Sequence, residues 1–170
     1  MNKKLGLSLL ALVLLVGVAA LQASASPPNH ANRLEATFTE TNVSVTNRIA
    51  DLGIFQLINT GTGTVDGLGT ATMVVSVSQD RAVKPCGPGS WTNAGIRRLS
   101  LVSGVLVLRS LAYVCQTADG PVASEAWTVD GPASTGVFAG ARGSGEGTVD
   151  ITTHTTTLSG KLKLAGANAE

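Results

Sequence analysis

The sequence has few of the residues from which most catalytic and metal sites are built. Its 170 residues include two histidines, two cysteines, three Phe, two Trp and one Tyr. His30 and His154 stand apart from each other and lack cysteine neighbours at ligand spacing, so they do not form a zinc motif. No G-x-S-x-G segment frames a serine nucleophile. The sequence therefore predicts no metal site and no cofactor.

Charge is also sparse. Only 14% of residues are charged, and twelve basic residues stand against eleven acidic ones without a run of either sign. A scattered, near-neutral charge gives no electrostatic footprint for nucleic acid or for an anionic membrane. We therefore expect neither of these partners for the mature chain.

The N-terminus has the three parts of a secretory signal peptide. Lys3 and Lys4 precede an uncharged apolar run over residues 5–21, and Ala23-Ser-Ala25 offers a cleavage site. This pattern predicts a signal peptide over residues 1–25, and a secreted, periplasmic or extracellular location. The alternative is an uncleaved membrane anchor, because the apolar run is somewhat long. Without the two leader lysines the net charge becomes −1.

Cys86 and Cys115 both lie in the part predicted to be exported. Outside the cytoplasm a pair of cysteines is most simply a disulfide. The alternative is a reactive thiol or a metal ligand. However, neither cysteine belongs to a C-x-x-C motif and no histidine is near. The sequence predicts a Cys86–Cys115 bridge.

Short alternating segments rich in β-branched residues recur along the rest of the chain, with turn signals between them. No segment outside the leader has helical periodicity. We predict one domain over residues 34–164, preceded by a flexible lead-in (26–33) and followed by a tail (165–170). Its eight candidate segments are 34–45, 54–59, 70–78, 96–101, 104–115, 122–129, the glycine-rich stretch 134–151, and 155–164.

Five glycines fall within residues 136–147. Each interior glycine costs a helix about 1 kcal/mol relative to alanine, so this stretch is not helical. The glycine spacing fits neither a Walker loop nor a dinucleotide-binding fingerprint. In a sheet, glycines mark bends and close backbone approaches. A closed sheet has no exposed edges, so we predict an all-β, eight-stranded antiparallel closed β-barrel rather than a sandwich.

Two neighbouring strands carry the candidate site residues. Arg109 interrupts an apolar face of one strand, and Glu125 shares a face with Trp127 in the next. If both faces point inward, an Arg109–Glu125 ion pair lies in the lumen, where buried charge often marks a functional pocket. The alternative is a surface pair worth less than about 1 kcal/mol. Trp127 and Tyr113 are the candidate ligand-binding aromatics.

Three segments resemble a known group of proteins. The sequence resembles exported bacterial allene oxide cyclase-like barrels in three segments. These are Gly61-Thr-Gly63-Thr-Val65, the central hairpin flanked by Cys86 and Cys115, and residues 134–145 (STGVFAGARGSG). That group is related in fold to plant allene oxide cyclases and dirigent proteins. The resemblance covers residues 35–164 and implies an eight-stranded barrel whose lumen holds a small apolar molecule. We match none of the plant enzymes' polar positions to residues of this chain.

Fold alone does not define function. The leading interpretation is an exported barrel that acts as a small-molecule (apolar ligand) binding or structural module rather than as an enzyme. One alternative is a cyclase or isomerase acting inside the barrel, with Arg109 and Glu125 as its candidate catalytic residues. Another is a cell-envelope interaction protein whose barrel is filled. The sequence does not predict the oligomeric state.

Overall fold

The computed structural model of the protein describes residues 33–49 and 52–166. The predicted signal peptide and most of the lead-in and tail lie outside the described residues. Eight strands fill the described part of the chain: β1 (Leu34–Ile49), β2 (Ile54–Val65), β3 (Gly69–Asp80), β4 (Trp91–Leu101), β5 (Gly104–Thr117), β6 (Gly120–Val129), β7 (Arg142–Asp150) and β8 (Thr155–Lys163).

The strands form one closed antiparallel barrel in sequence order. Closure comes from pairing of the first strand with the last, with Leu34 opposite Gly160 and Thr39 opposite Thr155. The pairing confirms the predicted fold class. Every strand has a neighbour on both sides over part of its length, so the barrel has few free edges.

Two segments differ from the sequence prediction. Thr60–Gly63, predicted as turn or bulge residues after the segment 54–59, continues β2, and Gly63 lies directly against the β1 backbone and the Phe38 ring. The glycine-rich stretch 134–151 forms a strand only in its second half, as β7, and its first half contains the 3-10 helix Gly136–Phe138. Within residues 33–49 and 52–166, no helix is both long and apolar enough to span a bilayer.

One end of the barrel is closed. The segment between β6 and β7 folds over this end and buries Phe138 completely. Ser134 fixes the segment, since its Oγ accepts from the Val107 N–H at 3.0 Å and donates to the Asp130 carbonyl at 2.8 Å. The core at this end includes Leu34, Phe38, Leu99, Leu106, Leu108, Trp127, Leu158 and Leu162. We call this the closed end.

Two inward-facing glycines make room for the largest core side chain. A Cβ atom at either Gly145 or Gly160 would collide with the indole ring of Trp127. The indole therefore lies against bare backbone of β7 and β8, and its Nε1 donates to the Glu146 carbonyl at 2.9 Å. Glycine is needed at these positions because of close approach, as the sequence pattern indicated.

The predicted disulfide is confirmed. Cys86, in the loop between β3 and β4, bonds to Cys115 of β5, with their Cα atoms 5.6 Å apart. The bond fastens this loop to the end of the barrel opposite the closed end, which we call the open end.

Replacing both cysteines with serine is expected to lower the free energy of unfolding by about 3–4 kcal/mol, because the bond closes a long loop and restricts the unfolded chain. The two half-cystines are 29 residues apart. Urea denaturation of the double variant, compared with the oxidised protein, checks this. A loss below about 1 kcal/mol contradicts it.

The β7–β8 turn at the open end is held by Asp150. Its Oδ1 accepts from the backbone N–H groups of Thr152 and Thr153, both at 2.9 Å. These bonds favour the ionised carboxylate, and the pKa of Asp150 lies below its ordinary value, chiefly because of the Thr153 N–H. The turn loses these bonds to a charged acceptor only as pH falls through that lowered pKa.

Candidate functional site

The strand register shows which side chains face the lumen. Residues directly opposite each other in an antiparallel pair project to the same face. Asn59 lies opposite Val75, Val75 opposite Arg97, and Arg97 opposite Leu108. Because Val75 and Leu108 belong to the core, Asn59 and Arg97 also face inward. The lumen therefore contains polar side chains.

A buried ion pair lies on the lumen side of the sheet, between β4 and β6. The Arg97 Nη2 donates to both carboxylate oxygens of Glu125, at 2.8 and 2.9 Å, and Nη1 lies 2.9 Å from the Met73 Sδ. The two side chains are only 3% and 4% exposed. A buried charge is tolerated when it is paired and hydrogen-bonded. Glu125 is thus a lumen residue, which agrees with one of the two alternatives left by the sequence, but its partner is Arg97.

The predicted Arg109–Glu125 pair is wrong. Arg109 lies on the outer face, 65% exposed, and its Nε donates to the Asp130 Oδ2 at 2.8 Å. The inward residues of β5 are the even-numbered ones, including Leu106, Leu108 and Val114. The outward residues Leu111 and Tyr113 are apolar although they are 70% and 60% exposed, so the outer face of the strand also reads as apolar in the sequence.

The two aromatic candidates lie on opposite sides of the sheet. Trp127 is 2% exposed and belongs to the core. Tyr113 is 60% exposed on the outer surface. The structure therefore brings Glu125 and Trp127 together on the lumen side and leaves Arg109 and Tyr113 outside.

A second polar cluster faces the lumen near the open end. The carboxylate of Glu40 accepts from Asn59 Nδ2 and from Thr156 Oγ1, each at 3.2 Å. Glu40 lies opposite Gly61, which lies opposite the buried Met73. The sequence prediction missed this cluster, because Glu40 falls at a bulge and its partners are distant in the chain.

At the open end the barrel wall extends on one side only. Beyond Thr39, β1 has no β8 partner and continues along β2 alone to Ile49. Val43 and Val45 lie on the lumen face of this extension, opposite Asn59 and Leu57, and are 45% and 60% exposed. Apolar side chains that face the lumen are therefore in contact with solvent at this end.

Two arginines at the rim of the open end stack on aromatic rings. The Arg48 guanidinium lies 5.1 Å from the centre of the Phe55 ring, and that of Arg81 lies 4.6 Å from the same ring. Arg81 also lies 5.1 Å from the centre of the Trp91 ring. Contacts of this kind with an aromatic face hold the guanidinium groups in place.

Three buried polar atoms in the described part of the protein have no hydrogen-bond partner: Asn59 Oδ1, Trp91 Nε1 and Asn93 Oδ1. All three belong to residues that face the lumen, since Asn93 lies opposite Ala112 and Trp91 opposite Val114. Orphan polar atoms are uncommon in native proteins and call for a partner. No three His, Cys, Asp or Glu side chains of the described residues are arranged to hold a metal.

The outer surface carries two open grooves. One runs across β5 to β8 and on to β1 and β2, and the other across β1 to β6. Their outward side chains are mostly Ser, Thr and Ala, with Leu111 common to both and 70% exposed. The charged side chains exposed along these grooves are Glu35, Asp66 and Glu146 in the first and Arg109 in the second.

The fold defines a class of protein, a small closed antiparallel β-barrel of eight strands. Neither a protein-family model nor a curated protein matches the sequence. The resemblance to allene oxide cyclase-like barrels stays a prediction.

Proposed function

We propose that the protein is an exported binding module that holds a small, mainly apolar molecule in the open half of its lumen. The observation that carries this proposal is the exposure of apolar side chains on the lumen side of the β1–β2 extension. Val43 and Val45 are 45% and 60% exposed there, whereas Val114 and Ala123, on the far side of the same end, are 0% and 3% exposed. Burying Val43 and Val45 under a ligand would stabilise the complex by about 25 cal/mol per Å².

The polar groups in the lumen favour binding over a merely structural barrel. A filled barrel needs no unpaired amide oxygen in its interior, because each one costs free energy. Asn59 and Asn93 each present such an oxygen. A ligand that is apolar along its length and polar at one end would cover the exposed valines and would also supply a partner for an unpaired amide oxygen.

The leader sequence and the disulfide support export. Disulfides persist in oxidising compartments and are rare in the cytosol. The Cys86–Cys115 bond therefore agrees with the secreted or periplasmic location that residues 1–25 predict.

Filling the lumen should abolish binding. Gly95 faces the lumen opposite Val77 and Ser110, and a Cβ there would lie 3.3 Å from both the Ser110 Oγ and the Ser76 carbonyl oxygen. Gly95→Leu is expected to weaken binding of the uncharged fluorescent probe N-phenyl-1-naphthylamine about tenfold or more, equal to about 1.4 kcal/mol.

Ala94→Leu is the matched control. Ala94 is the neighbouring residue on the opposite face and lines an outer groove. If Ala94→Leu weakens probe binding while Gly95→Leu does not, the site is the outer groove and the lumen proposal is wrong. If the native protein does not bind the probe, the binding function is wrong.

A second candidate is a cyclase or isomerase working in the same lumen. The observation that favours it is the half-buried Glu40 carboxylate, which faces the lumen and has only neutral partners among the described residues. Rearrangement of a reactive epoxide by the native protein, lost in Glu40→Gln, would support this candidate. Binding of an apolar probe without any turnover supports the module.

A further inference from the structure

The open half of the lumen carries an uncompensated negative charge. Among the described side chains that face the lumen below the rim, Arg97 and Glu125 neutralise each other. Glu40 lies within the barrel, half-buried, and its two contacts are the neutral groups of Asn59 and Thr156. A carboxylate removed from water is strongly stabilised by a cation, because solvent no longer screens the interaction.

The orientation of the Asn59 amide adds a second acceptor. Its Nδ2 donates to Glu40 Oε2, and an ionised carboxylate can only accept, so exchanging the amide nitrogen and oxygen would break that bond. The Oδ1 is therefore fixed as an acceptor, and it is buried without a donor. A ligand group that completes this site must donate hydrogen bonds.

We propose that the head group of the ligand is a protonated primary amine, bound by the Glu40 carboxylate and the Asn59 Oδ1. An ammonium group brings one positive charge and three N–H donors, which fits one carboxylate and an orphan amide oxygen. Hydrogen bonds between charged groups are about twice as strong as neutral ones. This inference rests on the proposed binding function and specifies its ligand as an apolar amine.

The rim arginines favour an anion, but at a more exposed position. Val43, opposite Asn59, is several residues from Arg48 along β1, so the guanidinium groups lie farther out than Glu40. Charges that are exposed to solvent are screened and contribute little. The Arg48 and Arg81 groups also interact with the rings of Phe55 and Trp91. The deeper carboxylate therefore decides the charge of the head group.

The test uses three molecules that share one alkyl chain. Decylamine, 1-decanol and decanoate are each titrated against N-phenyl-1-naphthylamine bound to the full protein at neutral pH. Decylamine is expected to displace the probe with an affinity at least about tenfold above that of 1-decanol, since a charge-assisted contact replaces a neutral one. Decanoate is expected to bind most weakly.

Glu40→Gln should remove the preference for the amine over the alcohol. Glu146→Gln, which removes the same charge from an exposed position on the outer face of β7, should leave the preference unchanged. If Glu40→Gln does not fold, the relative affinities of the three molecules for the native protein still test the inference. An alcohol or carboxylate that binds as tightly as the amine overturns this inference and leaves the binding function standing. Failure of all three to displace the probe, or to bind directly, overturns both.

Discussion

Arg97→Met is expected to lower the free energy of unfolding by about 3–5 kcal/mol, because it leaves Glu125 as an unpaired charge inside the barrel. The methionine fills a similar length of space, so the loss reflects the ion pair rather than a large cavity. The Arg97 and Glu125 side chains are 3% and 4% exposed, which leaves little access for water to replace the lost bonds. Urea denaturation followed by far-ultraviolet circular dichroism measures the change.

Arg109→Met is the matched control for this experiment. Arg109 also forms an ion pair, with Asp130, but its side chain is 65% exposed. The expected loss there is below about 1 kcal/mol. The double variant Arg97→Met with Glu125→Met should regain most of the stability, since it removes both buried charges together. If Arg97→Met is no more harmful than Arg109→Met, the ion pair does not lie in the lumen.

Trp127→Ala is expected to be equally harmful, with a loss of about 3–5 kcal/mol, because it opens a large cavity in the core. The indole fills the space left by Gly145 and Gly160. Both partners are backbone, so the neighbouring strands have no side chain that could move in to fill the cavity. The lost hydrogen bond from Nε1 to the Glu146 carbonyl adds to the cost.

Trp91→Ala offers the comparison. Trp91 lies at the rim of the open end and is only half-buried. We expect a smaller loss there, below about 2 kcal/mol, because water already reaches part of the ring. Equal losses in the two variants would show that Trp127 is not the central packing residue of the barrel. Unfolding should be followed by circular dichroism rather than by tryptophan fluorescence, because each variant removes one of the two tryptophans.

The sequence supports the fold better than it supports the site. The alternation of apolar residues predicted the eight strands, and the density of glycines predicted a sheet that bends and closes. Both patterns reflect local backbone geometry. The disulfide could also be predicted, because the only two cysteines both lie in the part expected to be exported. Thr60–Gly63 reads as a turn or bulge because glycine favours both, and its place in a strand depends on the close approach of the β1 backbone and Phe38, which one sequence does not show.

The polar residues of the lumen depend on register, which one sequence does not reveal. Arg97 and Arg98 are adjacent, and only the pairing of β4 with β3 and β5 shows that Arg97 is the inward one. A shift of one residue would exchange them. The partners of Glu40 lie 19 and 116 residues away, so no local motif marks the cluster. Arg109 was chosen instead because it interrupts an apolar run.

The most direct test is to observe where an apolar molecule contacts the barrel. Methyl-labelled protein titrated with 1-decanol gives nuclear magnetic resonance shifts for individual valine and leucine methyl groups. We predict shifts at Val43, Val45, Leu57 and Val77, which face the lumen at the open end. The methyl groups of Leu111 and Val74, on the outer face, should stay unchanged. Shifts at Leu111 and Val74, with the lumen methyl groups unaffected, would contradict a ligand site inside the barrel.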